Sequence, residues 1–281
     1  MSDWSQDEVE LIVADYFAML RDELAGQAVN KAEHNRRLRA RLDGRSKGSI
    51  EFKHANISAA LLNLRDGPYI EGYKPRWNYQ QLLEKAVLEY LESAPDLLAE
   101  AAQGPVVRPT AVPKTDFADL SQLIEPPPEH RPPVERTDGP PAVRVVDFVR
   151  IDAENRRLGR MGEEWALEFE RRRLHDIDKR PDLAKRIVWV SDAEGDGAGY
   201  DIRSFNGDDT ARLIEVKTTG QGKYVPFAVT ANEVRTSERQ ADRYHLYRLF
   251  HFSADPRLYT LQGALAENCR LEPTQYRARV R

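Results

Sequence analysis

Apolar residues recur along the first hundred positions with the period of a helix. Val9, Ile12, Val13, Tyr16, Phe17, Leu20 and Leu24 fall three and four apart behind Ser5 and Glu8, which are spaced as a capping box. The spacing predicts a helix that stops at Gly26. Similar text covers about Lys31 to Leu42, Asn56 to Leu64 and Asn78 to Ala102, so residues 1–103 read as an all-helical domain. The pattern then breaks. Residues 104–143 hold ten of the seventeen prolines, too many for a helix or a sheet ladder, and predict an extended linker. Within it, "FADLSQLI" is an apolar patch able to dock on a domain.

Behind the linker the period changes. Leu158, Met161, Trp165 and Phe169 form the apolar stripe of a helix from about Ala153 to Leu174. "RIVWVSD", "GYDIRSF" and "ARLIEVKTT" follow as strand-like runs between Gly/Asp-rich turns, and "PFAVT" is a further short β-like piece. Thr230 and Glu233 form a second capping box that opens a helix to about Ala241, and "YHLYRLFHF" and "RLYTLQG" close as strands. The expected fold is α/β: an N-terminal all-helical domain, then, over residues 144–281, a mixed sheet flanked by helices.

Composition narrows the function classes. A chain of 281 residues, 41% hydrophobic and 31% charged, is that of a soluble two-domain protein. No apolar run approaches the roughly 18 residues of a membrane span, and the acidic start, MSDWSQDEVE, is unlike a signal peptide. A lone cysteine, Cys269, excludes an intrachain disulfide and a Cys-based zinc site and fits a cytoplasmic location. "SDAEGDGAG" lacks the closing glutamate of an EF-hand loop, His175, His245 and His251 have no metal-ligand spacing, and no phosphate-binding P-loop is present.

The net charge of −4 is unevenly spread. Lys31 to Lys53 carries eight Lys/Arg against three acids. Arg36, Arg37, Arg39 and Arg41 fall on helix faces away from Leu38 and Leu42, Arg45 and Lys47 follow in a glycine turn, and Lys53 closes the run. In "GYKPRWNYQ", Tyr73, Trp77 and Tyr79 alternate with Lys74 and Arg76. Two readings stand for each stretch. The arginines are a solvated helix face or a phosphate-tracking surface. The aromatics are a core corner or a platform for stacking bases.

The candidate chemistry lies in the strands. Alternation in "ARLIEVKTT" puts Leu213, Glu215 and Lys217 on one face and Ile214, Val216 and Thr218 on the other. If "GYDIRSF" pairs antiparallel through the turn near Asn206 to Asp209, Asp201 lies beside Glu215 and Lys217. Such a trio is either a solvated edge of ion pairs contributing at most about 1 kcal/mol, or two hard oxygen ligands for Mg²⁺ with an ammonium beside them.

The order helix, three strands, helix, strand, with Asp201 and then Glu215-Val216-Lys217, resembles the PD-(D/E)XK nuclease superfamily. More closely, "NRRLGRMGEEWALEFERRRL", "GDGAGYDIRSF", "RLIEVKTT" and "VPFAVTANEV" resemble the NO VEIN C-terminal type, over about Val145 to Gly263. The resemblance implies a Mg²⁺-dependent endonuclease, with Mn²⁺ as a substitute, that hydrolyses DNA phosphodiesters in restriction-type defence. It implies Asp201 and Glu215 as metal ligands and Lys217 as the residue that positions water. A helix acid completes the set, Glu163 with Glu164 as the fallback. Tyr200 stands where the "PD" proline would be. One such site cuts one strand, so double-strand cleavage would favour a homodimer. The helical domain loosely resembles modules that precede restriction-like nuclease domains. The competing readings are a DNA-binding module with the nuclease fold but no activity, and a protein-binding scaffold.

Overall fold

A computed structural model describes residues 3–24, 27–65, 69–70, 72–94, 111–128, 156–193, 195, 197–220, 222–223, 226–253 and 255–271. The chain divides into two units, one of residues 1–108, 128–151 and 220–226, whose described helices lie within 1–108, and one α/β, of residues 109–127, 152–219 and 227–281. None of the described helices is long and apolar enough to cross a membrane.

In the helical unit the capping box forms: Glu8 N donates to Ser5 Oγ (3.3 Å) and Ser5 N to Glu8 Oε2 (2.8 Å). It opens α1 (Gln6–Leu24), whose apolar stripe is buried. The other described helices there are α2 (Lys31–Arg41), α3 (Lys47–Arg65) and α4 (Gln81–Ser93). α3 starts well before the predicted Asn56. Ser46 caps it, its Oγ accepting from Ser49 N at 3.1 Å, so a stretch that reads as a glycine turn is the first helical turn. The predicted stop at Gly26 and the end of the fourth helix beyond Ala94 lie outside the described residues.

In the α/β unit, α5 (Arg156–Arg172) runs into a π-helical turn, Arg173–Ile177. The strands are β1 (Val188–Trp189), β2 (Ile202–Phe205), β3 (Ala211–Thr218), β4 (Tyr244–Phe250) and β5 (Arg257–Gln262), with α6 (Ala231–Arg239) between β3 and β4. They form one sheet in the order β1-β2-β3-β4-β5. Only β3 and β4 are parallel, because α6 carries the chain over a face of the sheet between them. Trp165, Ala166 and Phe169 of α5 pack with Ile202, Ile214, Val216 and Leu249 on one face. Leu213, Tyr244, Leu246 and Leu265 pack with Val234 of α6 on the other. Glu170, fully buried, anchors α5 to the sheet: it accepts from Arg173 Nε (2.7 Å), Ser204 Oγ (2.6 Å) and Tyr247 Oη (2.7 Å).

Three elements depart from the pattern. "RIVWVSD" yields only two strand residues, because Val190–Ala193 turns helical. Pro226 to Thr230 of the β-like "PFAVT" joins no ladder. Part of the Pro-rich segment, residues 111–128, packs on the α/β unit. Leu120 and Leu123 enter its core, Trp165 Nε1 donates to Thr115 Oγ1 (2.7 Å), and Ile124 bridges to Leu258. The rest of 104–143 lies outside the described residues.

His54 is sealed in the helical core, its ring 4.8 Å from that of Tyr73 and 5.8 Å from that of Tyr16. Burial, reinforced by the nearby His34, pushes its pKa down to about 3 from 6.5. The folded state therefore holds His54 neutral while the unfolded chain takes up a proton below 6.5, so stability is lost as pH falls. Chemical unfolding from pH 8 to 5 should show the wild type losing about 1.4 kcal/mol per unit below 6.5 relative to His54→Gln. Parallel pH profiles for the two proteins would contradict this.

Candidate metal-assisted site on the sheet

The β2–β3 hairpin brings the acids together. Ile202 pairs with Ile214, so the preceding residue, Asp201, comes opposite Glu215. Asp201 is tied on both sides: its N–H donates to Ile214 O (2.9 Å), its carbonyl accepts from Val190 N (2.7 Å), and its Oδ2 accepts from Val216 N (2.8 Å). Side chains alternate along β3 as the pattern predicts, Ile214 and Val216 toward α5 and Leu213 into the core beneath α6. Glu215 and Lys217 share the α6 face. The Lys217 ammonium lies 2.7 Å from Glu215 Oε1 and 2.9 Å from Glu233 Oε2 of α6.

The helix acid arrives from the other layer. Gly162 of α5 rests so close to β3 that a Cβ there would overlap the Thr218 side chain, so only glycine fits. The next residue, Glu163, is half-buried; its Oε2 accepts from Trp189 Nε1 (2.6 Å) and from Ser191 Oγ. Glu164 is exposed. Of the two candidate helix acids, Glu163 is thus the one turned toward the sheet.

The electrostatics follow from four carboxylates beside one ammonium. Desolvation and then the charge of Glu163 push the Asp201 carboxyl up to about 7, against the pull of the Val216 N–H and Lys217. Burial likewise raises Glu215 well above the carboxylate range. Burial alone would lower Lys217, but Glu215 and Glu233 outweigh it and hold the ammonium protonated. Such a site is short of positive charge. Among the described residues no three His, Cys, Asp or Glu side chains form a ready-made metal cage. Two facing carboxylates nevertheless match Mg²⁺, which binds through one or two carboxylates and retains waters for the rest of its shell.

Glu233 is the site residue that the sequence pattern misses. Its spacing from Thr230 marks it as a capping residue, which it is, since Thr230 N donates to Glu233 Oε2 at 3.1 Å. Nothing in that spacing points to Lys217. The loop ahead of Asp201 is also held by α6: Asn232 Nδ2 donates to Gly197 O (3.0 Å), and Gly199, at φ +78°, leaves no room for a Cβ against Thr236.

The cationic residues of the helical unit divide into two groups. Arg36, Arg37, Arg39, Arg41, Lys47, Lys74 and Arg76 are exposed, with Arg36 and Arg37 paired to Glu33 and Lys47 to Glu51. Arg76 lies over the ring of the exposed Phe52 at 5.4 Å, and Trp77 is half-buried. Three expected contacts are withdrawn from the surface. Arg45 forms an ion pair with Glu8 (2.7 Å) and covers the Trp4 ring at 4.5 Å. Lys53 is buried against the same ring at 4.9 Å. Tyr73 is core, packed on His54. These three hold the fold together and are not placed to meet a phosphate or a base.

Fold and site define a mixed α/β domain with paired carboxylates and a lysine on its central hairpin. The family model for the C-terminal domain of the protein NO VEIN matches residues 162–261. The matched stretch contains Glu163, Asp201, Glu215, Lys217 and Glu233, and it leaves out the helical unit. No curated protein and no solved structure matches the chain.

If unrelieved negative charge governs the site, neutralising one acid stabilises the metal-free protein. Asp201→Asn, which keeps an oxygen for the Val216 N–H, should raise the melting temperature at pH 8 in EDTA by a few degrees. Any further rise that Mg²⁺ gives the wild type should be absent from the variant. A lower melting temperature in the variant would show that the ionised carboxylate is structural.

Proposed function

We propose that the protein is a metal-dependent endonuclease that hydrolyses phosphodiester bonds in DNA, of restriction or defence type. The observation that carries this reading is the meeting of Asp201, Glu215 and Lys217 on the β2–β3 hairpin, with Glu163 beside Asp201. A structural ion pair needs one acid for one lysine. Here the acids outnumber the ammonium and stand desolvated, an arrangement that costs stability and is typical of sites kept for chemistry.

Asp201 and Glu215 would hold Mg²⁺ or Mn²⁺, with Glu163 available through its second oxygen; when bound, the cation offsets the charge of the phosphodiester and activates water. The chain's own contribution is orientation. The hairpin register fixes the two carboxylates, and Lys217, held protonated, donates hydrogen bonds to a phosphate oxygen or to the attacking water. A lysine kept protonated at neutral pH serves as a cation and hydrogen-bond donor and does not act as the base.

The decisive assay incubates the protein with supercoiled plasmid, unmodified or carrying modified cytosines, in Mg²⁺, Mn²⁺ or EDTA. Nicking by the wild type is expected only with metal and should fall at least 100-fold in Lys217→Ala, a loss in the range for one electrostatic contact. Absence of cutting with all substrates, with DNA retention intact, would favour a binding module that keeps the fold.

DNA contact by the helical unit is a separate part of this reading, supported by its exposed cations. Replacing Arg39, Arg41 and Lys74 together with alanine should flatten the slope of log affinity against log salt by about three, since each phosphate contact contributes roughly 0.9. Arg45→Ala should instead lower the melting temperature, because it breaks the Glu8 pair. A slope unchanged by the triple substitution would place the DNA elsewhere.

A further inference from the structure

We infer that Glu233 is the positioning residue of this site, holding the Lys217 ammonium so that Glu215 is free to take a cation. The inference rests on the cation site in the function proposed above, and only its effect on cutting rests on nuclease activity. Its observations are geometric. One oxygen of Glu233, Oε2, accepts both from Thr230 N at the start of α6 (3.1 Å) and from Lys217 Nζ (2.9 Å). Glu233 is thereby held by a backbone N–H that any residue but proline at position 230 supplies, while the reciprocal bond from Glu233 N to Thr230 Oγ1 (3.2 Å) stabilises the helix cap and does not touch the carboxylate.

Lys217 needs such an anchor. Its side chain is long and flexible, and its other carboxylate partner is Glu215, two residues away on the same strand face. An ammonium satisfied by Glu215 alone would neutralise the acid that has to bind metal. Glu233 competes from the opposite layer. With Glu215 holding a cation, Glu233 would keep the ammonium in place beside it. The same helix start ties down the approach to Asp201 through Asn232 and Gly197, so α6 orders both sides of the site.

Two substitutions separate this role from helix capping. Glu233→Gln retains an oxygen for the Thr230 N–H but removes the charge that holds Lys217, whereas Thr230→Ala weakens the cap and leaves Glu233 charged. In the full-length protein, Glu233→Gln should melt within a few degrees of the wild type, lose at least tenfold in kcat for plasmid nicking with KM unchanged, and bind Mn²⁺ several-fold more weakly by calorimetry. Thr230→Ala should lower the melting temperature and leave kcat and Mn²⁺ affinity within twofold.

A wild type that nicks plasmid, with Glu233→Gln equal to it or Thr230→Ala equally impaired, overturns the positioning role alone. A wild type that binds Mn²⁺ but does not cut removes the nuclease reading, and the weaker Mn²⁺ binding of Glu233→Gln still supports the positioning role. A wild type that neither binds Mn²⁺ nor cuts overturns both.

Discussion

One ammonium held between two carboxylates sets the electrostatics of the α/β unit. Lys217 bridges Glu215 on its own strand and Glu233 on the helix above, and Asp201 and Glu163 add charge from the sides. Removing Lys217 would leave buried acids facing one another across a few ångströms. Hydrogen bonds fix three of the four acids in such a cluster: Val216 N–H on Asp201, Trp189 and Ser191 on Glu163, Thr230 N–H on Glu233. The remaining excess of negative charge would be offset by a cation there.

The rest of the unit sets where that cluster lies. A parallel β3–β4 pair requires a crossover, and the crossover is α6, which brings Glu233 over the face carrying Glu215 and Lys217. The opposite face is closed by α5, whose glycine contact with Thr218 brings Glu163 up to the sheet. The buried Glu170 network with Arg173, Ser204 and Tyr247 locks α5 in register. The Glu215–Lys217 pair and the packing against α5 thus use the two faces of the same strand, divided by the alternation of its side chains.

The helical stripes, the hairpin and the alternation of β3 were legible in the sequence because each is a local pattern of period 3.6 or 2. So was the meeting of Asp201, Glu215 and Lys217, since register follows once the hairpin is recognised. What the sequence did not reveal depends on contacts between distant residues. Glu233 reads as a cap because its spacing to Thr230 is local, while its partner Lys217 lies on another element. Arg45, Lys53 and Tyr73 read as a basic, aromatic surface, yet Glu8, Trp4 and His54 draw them inward. Ser46 was hidden among glycines and is a helix cap. The Pro-rich segment marks a break in regular structure, but composition alone could not show that Leu120 and Leu123 insert into the core of the α/β unit.

The central claim is that Asp201 and Glu215 form the cation site that the fold is arranged to present. Anomalous diffraction from crystals soaked in Mn²⁺ tests it without reference to any substrate. The account predicts a manganese peak bonded to carboxylate oxygens of both Asp201 and Glu215, with the Lys217 ammonium still on Glu233. Crystals without a peak there, with Lys217 still bridging Glu215 and Glu233, would contradict it and leave the cluster as a structural ion pair.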